Sequence, residues 1–384
     1  MANKHFDLIV VGGGVLGSFH AYHALQKGFK VLLTEKDNRP QSATVRNFGQ
    51  VVPSGMAGRW FHYGARSLEI YREIQEQFDI TGRKNGSIYL ASDKEEQQLL
   101  HEVKHIFDTK AYACELWTQQ QCLQKWPVLH PSYVLEGLYF PDEISVEPEM
   151  MVHRLLSFMQ EKFSGFVYKN ACTATTVESV GNNARLITSG EEEFTAEKII
   201  ICNGSEFRVL FPELYTQSGL VVSKLQMMRT IPMPEIVLPG NILTGLSIRR
   251  YESFTQCPSF ASLNTPDHYT ALKKWGIHIL FKQATDGSIV IGDSHEYAPA
   301  ATWESLGYDI QQHINELILQ EAQRIVTFDV HKIASSWAGY YSQHPREIFV
   351  HNFENKVFIF TGIGGKGMTS SAGFSEENIT TIFS

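Results

Sequence analysis

Cysteine is scarce in this chain. Its 384 residues hold five, Cys114, Cys122, Cys172, Cys202 and Cys257, an odd number without a C-x-x-C pair. That excludes a disulfide framework and suits a reducing compartment, so a cytoplasmic location is expected. Long apolar runs are also missing: nothing approaches the roughly 18 residues that a membrane span needs. Met1 to Val11 lacks the apolar core and small-residue cleavage site of an export signal, so neither export nor a membrane partner is expected. There is no excess of positive charge, since 33 Lys and Arg face 41 Asp and Glu for a net charge of −8. The basic footprint that nucleic-acid binding requires is therefore absent. No repeat, paired-carboxylate, metal-ligand or Ser-His-Asp pattern stands out, and no metal is expected.

What is present is an ordinary globular composition, 43% apolar and 19% charged, long enough for two domains. FDLIVV, at 6–11, is a short apolar run without alternation, the pattern of a strand buried on both faces of a parallel sheet. A helix is predicted over 15–27, with Gly28 where a C-terminal cap belongs, and a second buried strand over 30–34. Helical patterns recur at 60–78, 94–106 and 150–163. Strands at 171–180 and 197–202 read as returns to the first sheet, and a strand at 356–361 leads through a glycine-rich turn into a closing helix at 368–382. Between 220 and 334 the chain reads as strands such as 276–282 and 288–292 around the turn Asp286-Gly287. The expected fold is α/β plus α+β. A discontinuous Rossmann-like domain is assembled from 1–85, 145–222 and 335–384, and a mainly antiparallel domain from 86–144 and 223–334.

Gly12-Gly13-Gly14-Val15-Leu16-Gly17 fits G-x-G-x-x-G between a strand and a helix. Gly12 permits the tight turn, Gly14 lets a pyrophosphate approach the backbone, and Gly17 lets the helix pack closely. Glu35 follows Gly17 by eighteen residues, where a carboxylate accepts the adenosine ribose hydroxyls and repels a 2′-phosphate. The bland alternative is a glycine turn and a surface glutamate that bind nothing; strand, turn, helix, strand and acid in order favour an adenine dinucleotide. NAD enzymes usually continue with alternating strands and helices, whereas here long insertions and a return strand follow, which favours FAD. Gly362, Gly364, Gly365 and Gly367 offer backbone room for a bulky ring, with a helix dipole aimed at it.

Taken together, FDLIVVGGGVLG, VLLTEK, SATVRNFG, IIICNGSEF, GSIVIGD, WAGYY and FTGIGGKGMTSSAG resemble the FAD-dependent amine oxidoreductases that include D-amino-acid oxidase, glycine oxidase and sarcosine oxidase. The resemblance spans nearly the whole chain. It implies a non-covalent FAD held first by Gly12, Gly14, Val15, Leu16, Gly17, Glu35 and Lys36. Thr44, Arg46, Asn47, Val177, Asn203, Gly204, Trp337 and Gly339 would follow, and the set closes with Gly362, Gly364, Gly365, Lys366, Gly367 and Met368. Val177 corresponds to a backbone contact to adenine, Arg46 and Asn47 to the loop beside the ring, and Lys366 to a lysine that binds the substrate's acidic group. The implied partners are a small-molecule amine and oxygen or another electron acceptor.

Departures from the family pattern are informative. The lysine that promotes oxygen reaction in sarcosine oxidase is matched by Val290, which puts fast oxygen use in doubt. Trp337-Ala338-Gly339 is followed by Tyr340 and Tyr341, not by the arginine that clamps a carboxylate. WAGYYSQHP has no cysteine and the loop after Glu35 no histidine, so covalent flavin attachment is not expected. VRNFGQVVPSGM, SSWAGYYSQ and GIGGKGMTSSAG are similar to a clade linked with phosphonate breakdown, and a tetrahedral dianion asks for other donors than a planar carboxylate.

The expected reaction is FAD-dependent oxidation of a small primary or secondary amine carrying an acidic group, an aminoalkylphosphonate among them, to an imine that hydrolyses to a carbonyl. Lys366, Arg46 and Tyr341 are the candidate substrate-side residues. Against them stand blander readings: Arg46 bracing a loop carbonyl, Lys366 solvated, and Tyr340 and Tyr341 only shaping the pocket. His62 reads as a core histidine, and Lys224, Asp142, Glu143, Glu147 and Glu149 as surface or loop charge. Arg249 and Arg250, if on a strand, would face opposite sides. The rival functions are a flavin dehydrogenase of a hydroxyacid or glycerol-phosphate-like alcohol, and a non-catalytic flavin-binding interaction protein.

Overall fold

The structure, a computed structural model, describes residues 5–384; residues 1–4, where the reading of the N-terminus begins, lie outside the described residues. The opening strand, His5–Val11, is buried from Leu8 onward, as a run without alternation requires. It pairs in parallel with Glu193–Ile201 on one side and Val31–Thr34 on the other. Phe166–Lys169 continues the sheet beyond Val31–Thr34, and Val357–Thr361 adds in parallel to the far end of Glu193–Ile201. Ala174–Val180, Asn183–Thr188 and Phe349–Phe353 complete eight strands through antiparallel pairs.

The opening helix, Val15–Gln26, is buried along nearly its whole length. It packs against the closing helix, Gly367–Ile382, which also packs on Gly58–Gln75. His20 ties the first two together: its ring stacks on Phe360 at 5.1 Å, and its nitrogens lie within 3.0 Å of Ser375 Oγ and 3.2 Å of Asn378 Nδ2. Burial pushes its pKa down to about 3, so the ring is neutral. The helices expected near 94–106 and 150–163 are Lys94–Thr109 and Pro148–Lys162.

A second, nine-stranded sheet runs from Glu296–Pro299 through Val221–Thr230, Ile289–Gly292, Leu280–Gln283 and Asn241–Leu243 to Ser87–Ala91, Glu136–Phe140 and Glu115–Thr118. Its pairs are antiparallel except that between Asn241–Leu243 and Ser87–Ala91. Ile333–Gln343 belongs here, hydrogen-bonded along Val221–Thr230 from Gln343 to Ile333, although the sequence reading counted 335–343 with the Rossmann-like domain. Three two-residue strands, Gln50–Val51, Ile144–Ser145 and Arg83–Lys84, form a small third sheet.

Several charges expected at the surface are buried. Lys224 is enclosed, donating to the carbonyls of Leu306 at 2.9 Å and Asp309 at 2.7 Å, which replace its water. Glu147 accepts from Arg83 at 2.6 Å and from the buried Lys282 at 3.1 Å. Glu143 accepts from the Ser54 backbone N–H at 2.9 Å, and burial pushes its carboxyl up to about 7. Of that group only Asp142 and Glu149 reach solvent. His62 is exposed, not core. Arg249 and Arg250 follow the short helix Gly245–Ile248, so strand alternation does not govern them.

Candidate active site

One cavity of about 430 Å³ is lined by both glycine turns. At the first, Gly12 has φ +105° and a Cβ there would stand 2.3 Å from Cys202 O, while a Cβ on Gly17 would stand 2.0 Å from Gly12 O. Only glycine lets strand, turn and helix approach this closely. Gly14 caps the opening helix without a side-chain bond. Thr44 Oγ1 accepts from Val15 N at 2.9 Å, and the remaining first-turn N–H groups are available to an anion. Glu35 is buried at the end of Val31–Thr34 and accepts from Gly13 N at 2.9 Å and Asp37 N at 3.0 Å. Burial pushes its carboxyl up and these two N–H groups oppose the rise. Lys36, Thr44, Asn47, Asn203 and Gly204 also line the cavity. Asn47 braces its own loop, donating to Thr44 O at 2.7 Å and accepting from Gly49 N at 2.7 Å.

At the other end, Gly362, Gly364, Gly365, Lys366, Gly367 and Met368 all line the cavity. Gly362 and Gly364 have φ +76° and +63°, and nothing lies within 4 Å of a Cβ built on Gly365. The closing helix starts here without a side-chain cap. An extended space with an uncapped helix N-terminus at each end fits a dinucleotide with phosphates at one turn and a ring at the other.

Other expected positions stand elsewhere. The Val177 side chain is packed in the core, and the cavity wall at this strand is formed by Cys172, Thr173 and Ala174. Arg46 and Trp337 line a neighbouring cavity. Arg46 Nε donates to Gln41 O at 2.9 Å, the loop-bracing role. Tyr341 does line the main cavity but donates its hydroxyl to Arg46 O at 2.9 Å, and Tyr340 donates to Gly307 O. Neither hydroxyl is free for a substrate anion. Gly339 is on the wall of neither cavity. Val290 is buried opposite Lys282. Lys366 is on the wall, ion-paired with Glu252 at 2.7 Å.

The sequence reading missed a cluster on the same wall. His278, Asp293 and His295 line the cavity with Arg250 and Tyr251. Their ligand atoms lie within 4.8 Å of one another, close enough to hold a cation, although no metal-ligand spacing is visible in the chain. His278 precedes Leu280–Gln283, and Asp293 and His295 follow Ile289–Gly292. The hairpin between them brings residues far apart in sequence to one end of the sheet. Polar residues at both outer ends of a predicted hairpin were the available signal.

The DAO family, described as FAD dependent oxidoreductase, matches residues 7–377. FAD-dependent oxidoreductase domain-containing protein 1 of Xenopus laevis is 23% identical over 398 residues, covering 95% of this chain and 76% of that protein. N-methyl-L-tryptophan oxidase of Yersinia pestis (strain Pestoides F) is 24% identical over 213 residues, covering 54% of this chain and 56% of that one. Glycine oxidase from Geobacillus kaustophilus has the same fold, with a TM-score of 0.76 at 16% identity over 99% of this chain and 95% of that one. A match of this extent, on a cavity that fits the cofactor, means that the chain belongs to the FAD dependent oxidoreductase family.

Proposed function

We propose that the protein oxidises a small primary or secondary amine bearing an acidic group to an imine that hydrolyses to a carbonyl, with an aminoalkylphosphonate as the substrate class. The observation that carries this reading is a single cavity holding the two uncapped helix ends at its extremities and Lys366 on its wall beside a cluster of polar groups. Relatives named for glycine and N-methyl-L-tryptophan support an amine. The absence of an arginine after Trp337-Ala338-Gly339, with both tyrosine hydroxyls committed to carbonyls, supports an acidic group other than a family-type carboxylate.

In this reading the first sheet carries the adenosine half and the second sheet forms the substrate wall. Bound FAD supplies the hydride acceptor. Lys366 binds the acidic group, leaving the amine toward the interior, and Tyr341, Tyr251 and Leu280 exclude water around it. The electron acceptor is oxygen or another oxidant, and the five unpaired cysteines favour a reducing compartment.

The test is anaerobic mixing of the FAD-loaded protein with glycine, sarcosine, aminomethylphosphonate and 2-aminoethylphosphonate, beside the hydroxyl analogue of each. Loss of visible flavin absorbance with an aminophosphonate and not its hydroxyl analogue is expected. Bleaching by carboxylates alone would remove the phosphonate assignment, and bleaching by the alcohols alone would remove the amine.

A further inference from the structure

The polar cluster carries a second assignment. Asp293 is buried on the cavity wall and His278 Nδ1 lies 2.8 Å from its Oδ1. The contact lacks the alignment of a hydrogen bond, and apart from His295 Nδ1 at 3.9 Å from Asp293 Oδ1 neither atom has another polar partner among the described residues. A buried carboxylate oxygen without a donor is costly unless a ligand completes it. Its neighbours determine what that ligand is. His295 donates from Nδ1 to Gly276 O at 3.0 Å, and Arg250 Nη1 donates to the same carbonyl at 3.2 Å. Arg250 also donates from Nη2 to Tyr297 Oη at 3.0 Å. Burial pushes His295 down to about 3, so it is neutral and its Nε2 carries a lone pair. Burial pushes the Asp293 carboxyl up, while His278, His295 and Arg250 beside it pull the other way and hold it below the usual carboxylate range. The wall thus presents a carboxylate and imidazoles to the cavity.

We infer that the Asp293–His278 pair receives the substrate's ammonium group and removes one proton from it. The inference rests on the amine reading above and names the residues that reading leaves open. In the step an ammonium N–H bond breaks and an imidazole N–H bond forms on His278. The substrate is left as the neutral amine that oxidation requires, and the new imidazolium stands beside the Asp293 carboxylate. No electron moves. Arg250 and Glu252 place the pair relative to the anion site. They are two residues apart, so their Cα atoms are no more than about 7.6 Å apart. Arg250 faces Asp293 and Glu252 pairs with Lys366, so the pair and the anion site line the same cavity. The ionisable groups facing the pair are Arg250, His295, Tyr251 and Tyr341, with Tyr297 beyond Arg250. Burial pushes both Tyr251 and Tyr341 up, so both stay protonated.

The experiment uses FAD-loaded wild type and Asp293→Asn, with calorimetric binding of aminomethylphosphonate and of amine-free methylphosphonate. The variant is expected to lose about ten- to hundredfold in affinity for the amine-bearing ligand and nothing for the other. Anaerobic bleaching by the amine should slow in the variant at neutral pH and recover at a pH where the substrate amine is already neutral. Equal losses for both ligands, or an unchanged pH profile, would overturn the assignment. So would a stoichiometric divalent metal in the wild type that Asp293→Asn removes. If Asp293→Asn does not fold, His278→Gln serves with the same expectations. A wild type that binds the amine-bearing ligand through Asp293 but is never reduced would sink the proposed reaction and leave this assignment standing.

Discussion

Lys366 Nζ lies 2.7 Å from Glu252 Oε1 and 5.6 Å from the Trp60 ring centroid. The cation expected to grip the substrate anion is therefore held, in the free protein, by a carboxylate from the short helix Glu252–Thr255. An incoming dianion must compete with that carboxylate for the lysine. Glu252→Gln is expected to tighten methylphosphonate binding by about three- to tenfold, and Lys366→Met to weaken it by at least as much. Calorimetry checks both. Unchanged affinity in both variants would place the anion elsewhere.

Gly12→Ala tests the adenosine half. At φ +105°, with Cys202 O 2.3 Å from the new Cβ, the strand-to-helix turn must open. FAD retention after gel filtration is expected to fall by more than about tenfold, with a cost of about 1–3 kcal/mol in stability. A variant that keeps its flavin would contradict this use of the turn.

The buried Glu147–Lys282 pair makes a stability prediction. Lys282 is 1% exposed, and burial pushes its pKa down to about 8 against the attraction of Glu147. Glu147→Gln leaves that ammonium with Val146 O but without its counter-charge. A loss of about 3–5 kcal/mol is expected in urea unfolding, whereas Glu149→Gln on the surface should change little.

Glu143 sets a pH dependence. Its carboxyl is raised by burial from 4.5 to about 7, so the folded protein holds this proton more tightly than the unfolded chain. The linked stabilisation is complete below the unfolded value and is lost as pH rises through the folded one, on the order of 3 kcal/mol in all. Wild-type Tm should decline between about pH 5 and 8, and Glu143→Gln should flatten that part of the curve. A parallel decline in the variant would assign the effect to other groups.

The sequence was most legible where local chemistry alone decides structure. The glycines at 12 and 17 are required by backbone approach, and the apolar run at 8–11 by burial on two faces, so strand, turn and helix could be read in order. The glycines of the closing turn were legible for the same reason, whereas Lys366 was placed by resemblance. Arg46 and Trp337 were placed by resemblance and Tyr341 by its position after Trp337-Ala338-Gly339, and tertiary packing turned their polar atoms to loop carbonyls. Val177 was placed by resemblance, and the cavity wall at this strand is formed by Cys172, Thr173 and Ala174. His278, Asp293 and His295 were invisible because they meet only when the hairpin forms, and Lys224, Glu143 and Glu147 because a buried charge is recognisable only with its partners present.

The most direct test of the account is a single anaerobic turnover of FAD-loaded protein with limiting aminophosphonate, quenched and assayed for both products. Flavin bleached mole for mole with carbonyl formed and ammonia released is the predicted result. Bleaching without ammonia, or no bleaching with any amine of the panel, would contradict it.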